Sequence, residues 1–160
     1  MNWHAFEEAA PELAAIGRRR IDEIRLVLVG TLRRDGSPRI SPVEAFFVNG
    51  ELMLGMMWQS KKALDLLRDP RLVVHTATCD PDGTDGDFKA YGIAVGVQDP
   101  GLRTRYGDVL EARINWRPSE PFHLFSVDLE RVGYIVFGKE PMAMRWTPAE
   151  GLSRIRHPDA

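Results

Sequence analysis

Ser60, Lys61 and Lys62 open a short predicted helix that runs to about Asp69 and is stopped by Pro70. The N-terminal end of a helix presents backbone N–H groups without helical partners and a partial positive charge, so acids are favoured there and lysines are not. Two cations at a positive helix end imply an anion beside them. Ser60 either caps the helix or turns its hydroxyl to a phosphate, while free N–H groups and the Lys62 ammonium supply further donors. Lys61 is the lysine better placed to extend into water. Arg68 sits favourably in the last turn.

The remaining reactive side chains do not assemble by spacing. His4, His75, His123 and His157 are scattered, with no pair at metal-ligand spacing and no cysteine cluster beside them, so no metal site is expected. No serine lies in a nucleophile elbow, and Cys79 lacks the contexts that mark a catalytic thiol. Packing within an apolar strand is the expected role of both His75 and Cys79. Asp80 to Gly86 reads as a surface loop without the spacing of a calcium-binding loop. Arg18, Arg19 and Arg20 read as a solvated helix face. What remains is binding chemistry, and no catalytic residue is named.

The elements that must position the Ser60 helix are mostly strands. An N-terminal helical segment, 1–24, carries Leu13, Ile16, Ile21 and Ile24 at helical spacing and is broken by Pro11 and Gly17. Leu26 to Leu32 is apolar without alternation, which predicts a strand covered on both faces. Asp35 and Gly36 turn the chain into a second strand, Arg39 to Val48. Asn49 and Gly50 are a hairpin signal, because a type I′ turn needs positive φ at both central positions. A third strand, Glu51 to about Trp58, leads into the helix. Pro42 cannot donate to a ladder, so it marks an edge, a bulge or a lapse in pairing.

Arg71 to Cys79 predicts another strand, and Phe88 to Gln98 alternates cleanly, with Phe88, Ala90, Gly92, Ala94 and Gly96 on one face. Asp99 caps a helix with Pro100 at its first position and a stripe of Leu102, Tyr106, Val109 and Leu110. Phe122 to Leu129, Val132 to Gly138 and Met142 to Trp146 complete the strands, and 147–160 reads as a surface tail. The expectation is mainly β with a few helices, in a barrel or partly closed architecture.

With 160 residues, 44% hydrophobic and 28% charged, the chain has the composition of one domain, 1–160. A net charge of −2 offers no broad cationic surface, so an anion must be held locally and nucleic acid is not an expected partner. A lone cysteine and no signal-like N-terminus suggest the cytoplasm, and no apolar run is long enough to span a membrane.

The segments GTLRRDGSPRISPVEAFFVNGELMLGMM and WQSKKALDLLRDPRLVV, with FKAYGIAVGV and the later strands, resemble the pyridoxamine 5′-phosphate oxidase-like proteins. The resemblance runs from about Ile24 to Trp146. It implies a six- to seven-stranded antiparallel split β-barrel of the FMN-binding type, paired as a homodimer with cofactor clefts at the interface. It also implies FMN, or the deazaflavin F420 in some branches. Arg39, Ile40, Ser41, Pro42 and Val43 would flank the cofactor from the second strand, and Met56, Met57 and Trp58 would line it from the third. Ser60, Lys61 and Lys62 would hold its phosphate, and Lys89 and Tyr91 are candidates to reach the cofactor of a neighbouring subunit; Trp116 and Trp146 suit a cleft wall, with packing their default role.

The implied activity is hydride transfer between flavin and a small-molecule redox substrate. The alternatives are an F420-dependent reductase, with Arg39 helping to hold a longer tail, and a noncatalytic flavin- or haem-binding protein. The arginine-rich substrate signature of the oxidase itself is not matched by Arg145, Trp146, Arg154, Arg156 and His157, so pyridoxamine phosphate is not implied.

Overall fold

Asn49 and Gly50 take φ angles of 51° and 76° and turn the chain tightly from β2 (Pro38–Val48) into β3 (Glu51–Met57). These strands and β1 (Leu26–Leu32) form the antiparallel run that precedes α3 (Lys61–Arg68). In the computed structural model, which describes residues 1–156, they join β4 (Arg71–Thr76), β5 (Asp87–Gly96), β6 (Phe122–Val136), β7 (Met142–Thr147) and β8 (Gly151–Ile155). The sheet order is β3-β2-β1-β4-β5-β6-β7-β8, and β3 also pairs with β6. Six strands thus close into a barrel, with β7 and β8 as outer strands.

Helices α1 (Trp3–Ala9) and α2 (Pro11–Ile24) bury Trp3, Phe6, Leu13 and Ile21 in the core that fills the barrel, and Phe6 lies 4.7 Å from Trp146 between ring centroids. Helix α4 (Pro100–Ile114) lies outside the barrel. Its Tyr106 and Leu110 pack on Phe46, Met53 and Leu124 in a second apolar cluster. β3 is therefore covered on both faces. The matching expectation for β1 fails within one chain, because Leu26 and Leu28 point outward with 44% and 36% of their surface exposed.

Several boundaries differ from the sequence reading. Pro11 breaks the N-terminal helix, but Gly17 continues it: a Cβ there would lie 2.3 Å from the Phe88 ring, so the glycine permits close helix-to-barrel packing. β4 ends at Thr76, leaving Cys79 exposed in the following loop rather than packed in a strand. His75 faces outward, half-buried, with Nε2 3.0 Å from Asp87. The two strands expected between Phe122 and Gly138 are one, with Glu130 the extra residue where the β5 register slips. Trp146 packs in the core, its default role. The expected surface tail includes β8, which pairs with β7, while 157–160 and with them His157 lie outside the described residues. No helix among the described residues is long and apolar enough to cross a membrane.

One buried acid fastens α3 to the barrel. Asp65, 4% exposed, accepts from Arg39 of β2 at 2.6 Å, from Thr31 of β1 at 3.1 Å and from Arg68 at 3.3 Å. Burial by itself raises its pKa, but hydrogen bonds from Arg39 and Thr31 with the Arg39 charge outweigh that and hold it below the usual value. Asp65→Ala leaves two guanidinium groups without their partner, and we expect a loss of about 3 kcal/mol in urea denaturation at pH 7. Because the folded pKa is depressed, the ionised carboxylate stabilises the fold above its unfolded pKa, and this contribution is lost as pH falls through the folded value. Asp65→Asn should accordingly flatten the acid limb of the stability profile; an unchanged limb contradicts the assignment. A separate constraint sits at Gly92, where a Cβ would lie 2.1 Å from the Asp128 carbonyl oxygen. Gly92→Ala should cost about 2 to 3 kcal/mol in the same assay, since backbone on both strands must move.

Candidate functional site

Between β3 and α3 the chain turns in four residues, with the Ser60 N–H donating to the Met57 carbonyl at 3.1 Å. Gln59 takes φ 57°, a left-handed conformation that costs a non-glycine residue about 1 kcal/mol. The turn aims the first turn of α3 back toward the end of β3 and leaves Trp58 beyond the last ladder pair.

Ser60 sits at the N-cap position, yet its side chain caps nothing. Its Oγ is buried and has no hydrogen-bond partner among the described residues. The N–H groups of Lys61, Lys62 and Ala63 precede the first helical bond, from Leu64 N–H to the Ser60 carbonyl at 3.0 Å. No acid lies in this first turn. Lys62 is half-buried and Lys61 exposed, and neither forms an ion pair among the described residues. A buried hydroxyl, unshared amides and an unneutralised ammonium are the donor set that a phosphate takes.

The β2 residues divide by strand parity. Val43 is buried in the core and Ser41 half-buried, while Ile40, 72% exposed, and Pro42 lie on the outer face. Pro42 pairs with Leu28 of β1 and has no neighbour on its other side, since β3 pairs only with Ala45 through Val48. It is an edge position, not a bulge. Arg39 is committed to Asp65 and is not a free cation. On β3, Met56 faces the core, but Met57 and Trp58 are 75% and 52% exposed.

Met57 and Trp58 wall a cavity of about 210 Å³ with Glu44, Gly55, Tyr106 and Trp116. Gly55 is required there, because a Cβ would lie 2.2 Å from the Tyr106 hydroxyl. Burial, and then the Glu44 charge, push the Tyr106 pKa upward, so the phenol stays protonated. Arg33, Arg34, Arg39, Lys61 and Arg68 line an open cleft of about 460 Å³ together with the carboxylates of Asp35 and Asp65. Lys89 pairs with Asp87, and the Arg131 guanidinium lies 4.1 Å over the Tyr91 ring, so both are engaged within this chain.

Sequence reasoning missed two residues at this site. Asp65 is buried with Ala63 and Leu66 on α3, but at two residues from one and one from the other it lies off their stripe, so helical spacing gave no signal. His123 had none either. Its ring stacks on Trp58 at 4.5 Å and 13° because Met56 pairs with His123 across the barrel closure.

No protein-family model matches the sequence, and no curated protein matches it. Solved structures do. A NimC/NimA family protein from Clostridium acetobutylicum superposes with a TM-score of 0.70 at 12% identity, covering 89% of this chain and 98% of that one. A pyridoxamine 5′-phosphate oxidase-related, FMN binding protein from Nostoc punctiforme gives 0.66 at 14% identity, covering 92% and 96%. A heme binding protein from Mycobacterium smegmatis gives 0.61 at 17% identity, covering 81% of this chain, which spans only 57% of that protein. With these neighbours, a barrel of six antiparallel strands and two outer strands, the chain has the fold of the pyridoxamine 5′-phosphate oxidase-like split barrels.

Proposed function

We propose that the chain binds FMN, with the phosphate at the α3 opening and the ring along β3, and that it works as an oxidoreductase on a small molecule. The observation that carries this reading is the Ser60 hydroxyl, buried and unpartnered beside unshared amides and the unpaired Lys62. Bound FMN would supply the hydride chemistry, so the protein needs no acid–base triad. Its residues anchor, orient and exclude water. Ser60, the amides of Lys61 to Ala63 and the Lys62 ammonium meet the phosphate. Met57, Trp58 and Trp116 offer apolar surface that water covers in the free chain and a planar ring would bury.

The reading includes a homodimer. Leu26, Leu28 and Ile40 leave an apolar outer face on β1 and β2, next to the unpaired edge at Pro42. A second chain over that face would shelter both this surface and a ring lying beside it.

The arginine-lined cleft favours a second reading, in which the cofactor is F420. Arg33, Arg34 and Lys61 lie next to the phosphate position, where the further anionic groups of a longer tail would find them. Similarity to a heme binding protein supports a third, a noncatalytic carrier.

The absorption and mass spectra of ligand released from the purified protein, with titrations of FMN and F420, separate these readings. Lys62→Ala should weaken FMN by about 1.5 to 3 kcal/mol in calorimetry, as for loss of a charge-assisted hydrogen bond. Unchanged affinity in a folded variant refutes the phosphate assignment. Arg34→Ala should leave FMN unaffected and weaken F420 only if the tail occupies the cationic cleft. For the dimer, Ile40→Glu should convert dimer to monomer in equilibrium sedimentation at micromolar concentration; a wild-type monomer refutes the shared cleft.

A further inference from the structure

Another cleft, of about 560 Å³, opens between α3, α4 and the first residues of β6. It shares Trp58, Pro118, Pro121 and Phe122 with the smaller cavity along β3. Its distinctive feature is a ring stack. His123 lies between Trp58, at 4.5 Å and 13°, and Phe125, at 6.2 Å and 17°. The His123 Nε2 is buried and has no hydrogen-bond partner among the described residues.

The charged groups around this stack are already neutralised. Arg103 donates to Glu120 at 2.8 Å, to the Val97 carbonyl at 3.0 Å and to the Phe122 carbonyl at 2.9 Å, with its guanidinium over the Phe122 ring. Arg117 is held by Asp108 at 2.7 Å and Glu111 at 3.0 Å. An anion entering the cleft therefore finds no free cation, and a cation finds no free carboxylate. Burial, and then the Arg103 charge, hold the imidazole pKa below its ordinary value, so His123 is neutral near pH 7. A neutral imidazole presents either a donor or an acceptor at Nε2, according to its tautomer.

We infer that this cleft binds an uncharged planar heteroaromatic molecule, lying against the Trp58 indole and edge-on to His123, with one polar atom hydrogen-bonded to His123 Nε2 in the plane of the imidazole. Because Nε2 is buried in the free chain, the half-exposed Trp58 must turn to uncover it and then closes on the face of the bound molecule. The shared wall places this molecule next to the ring position of the proposed cofactor, and its role as redox substrate rests on the FMN reading. Binding itself does not.

The test uses quinoline, indole, naphthalene and quinoline-4-carboxylate as probes, titrated into the purified protein with and without added FMN. Affinity is read by calorimetry and site occupancy by the ¹⁵N resonance of His123 Nε2. We expect quinoline or indole to bind at least tenfold tighter than naphthalene and to shift the Nε2 resonance, with the carboxylate at least tenfold weaker than quinoline. His123→Phe keeps the ring stack and should abolish the preference over naphthalene. Trp58→Leu, which leaves β6 intact, should weaken quinoline and move the Nε2 resonance. Equal affinity for quinoline, indole and naphthalene, a preference that survives in His123→Phe, or tighter binding of the carboxylate overturns the inference. FMN binding without any probe binding overturns it alone, whereas probe binding without FMN binding overturns the cofactor reading and leaves this one standing.

Discussion

Pairing between β3 and β6, from Met53 opposite Ser126 to Met57 opposite Phe122, closes the sheet into a barrel. The Trp58–His123 contact at the site follows from that closure. The closure sets Met56 beside His123, so the next residue of like parity, Trp58, meets the imidazole face to face. It also buries Leu52, Leu54 and Met56 on one side of β3 while Met53 packs outward under α4. β6 can serve this purpose because it is long. Its first half pairs with β3 and its second with β7, and the slip at Glu130 lets both halves stay on β5.

Within that frame, Asp65 makes the position of α3 specific. A helix packed only through Ala63 and Leu66 has an apolar contact that slides at little cost, whereas a buried carboxylate bonded to Thr31 and Arg39 has one geometry. The same interaction divides the cations of the region into two kinds. Arg39 and Arg68 balance Asp65, while Lys61 and Lys62 form no ion pair among the described residues. The anion-seeking end of the helix is thus kept distinct from structural charge a few residues away. Arg39, which the resemblance places beside the cofactor, is in this chain an ion-pair partner of Asp65.

The strand pattern, the Asn49–Gly50 hairpin and the Pro100 helix start were legible because each depends on local backbone preference and the period of the apolar residues. The failures have equally definite causes. Arg71 to Cys79 looked like one strand because Thr76, Ala77, Thr78 and Cys79 all suit a strand, but β5 offers no partner beyond His75. Phe122 to Gly138 looked like two strands because Glu130 and Arg131 interrupt its apolar pattern, and a bulge absorbs that interruption without ending the strand. Gly17 looked like a helix breaker; its reason for being glycine is the Phe88 ring, far away in sequence.

The barrel class, the hairpin before the site and the placing of two lysines at the opening of α3 are written in the sequence, since these follow from propensity, periodicity and the polarity of a helix end. Tertiary structure alone decided which groups remain available to a ligand. Arg39 is consumed by Asp65, Val43 and Met56 are turned into the core, and Ser60 Oγ and His123 Nε2 are enclosed without partners. Availability depends on what packs against a group, and here that is set by contacts between residues far apart in the chain.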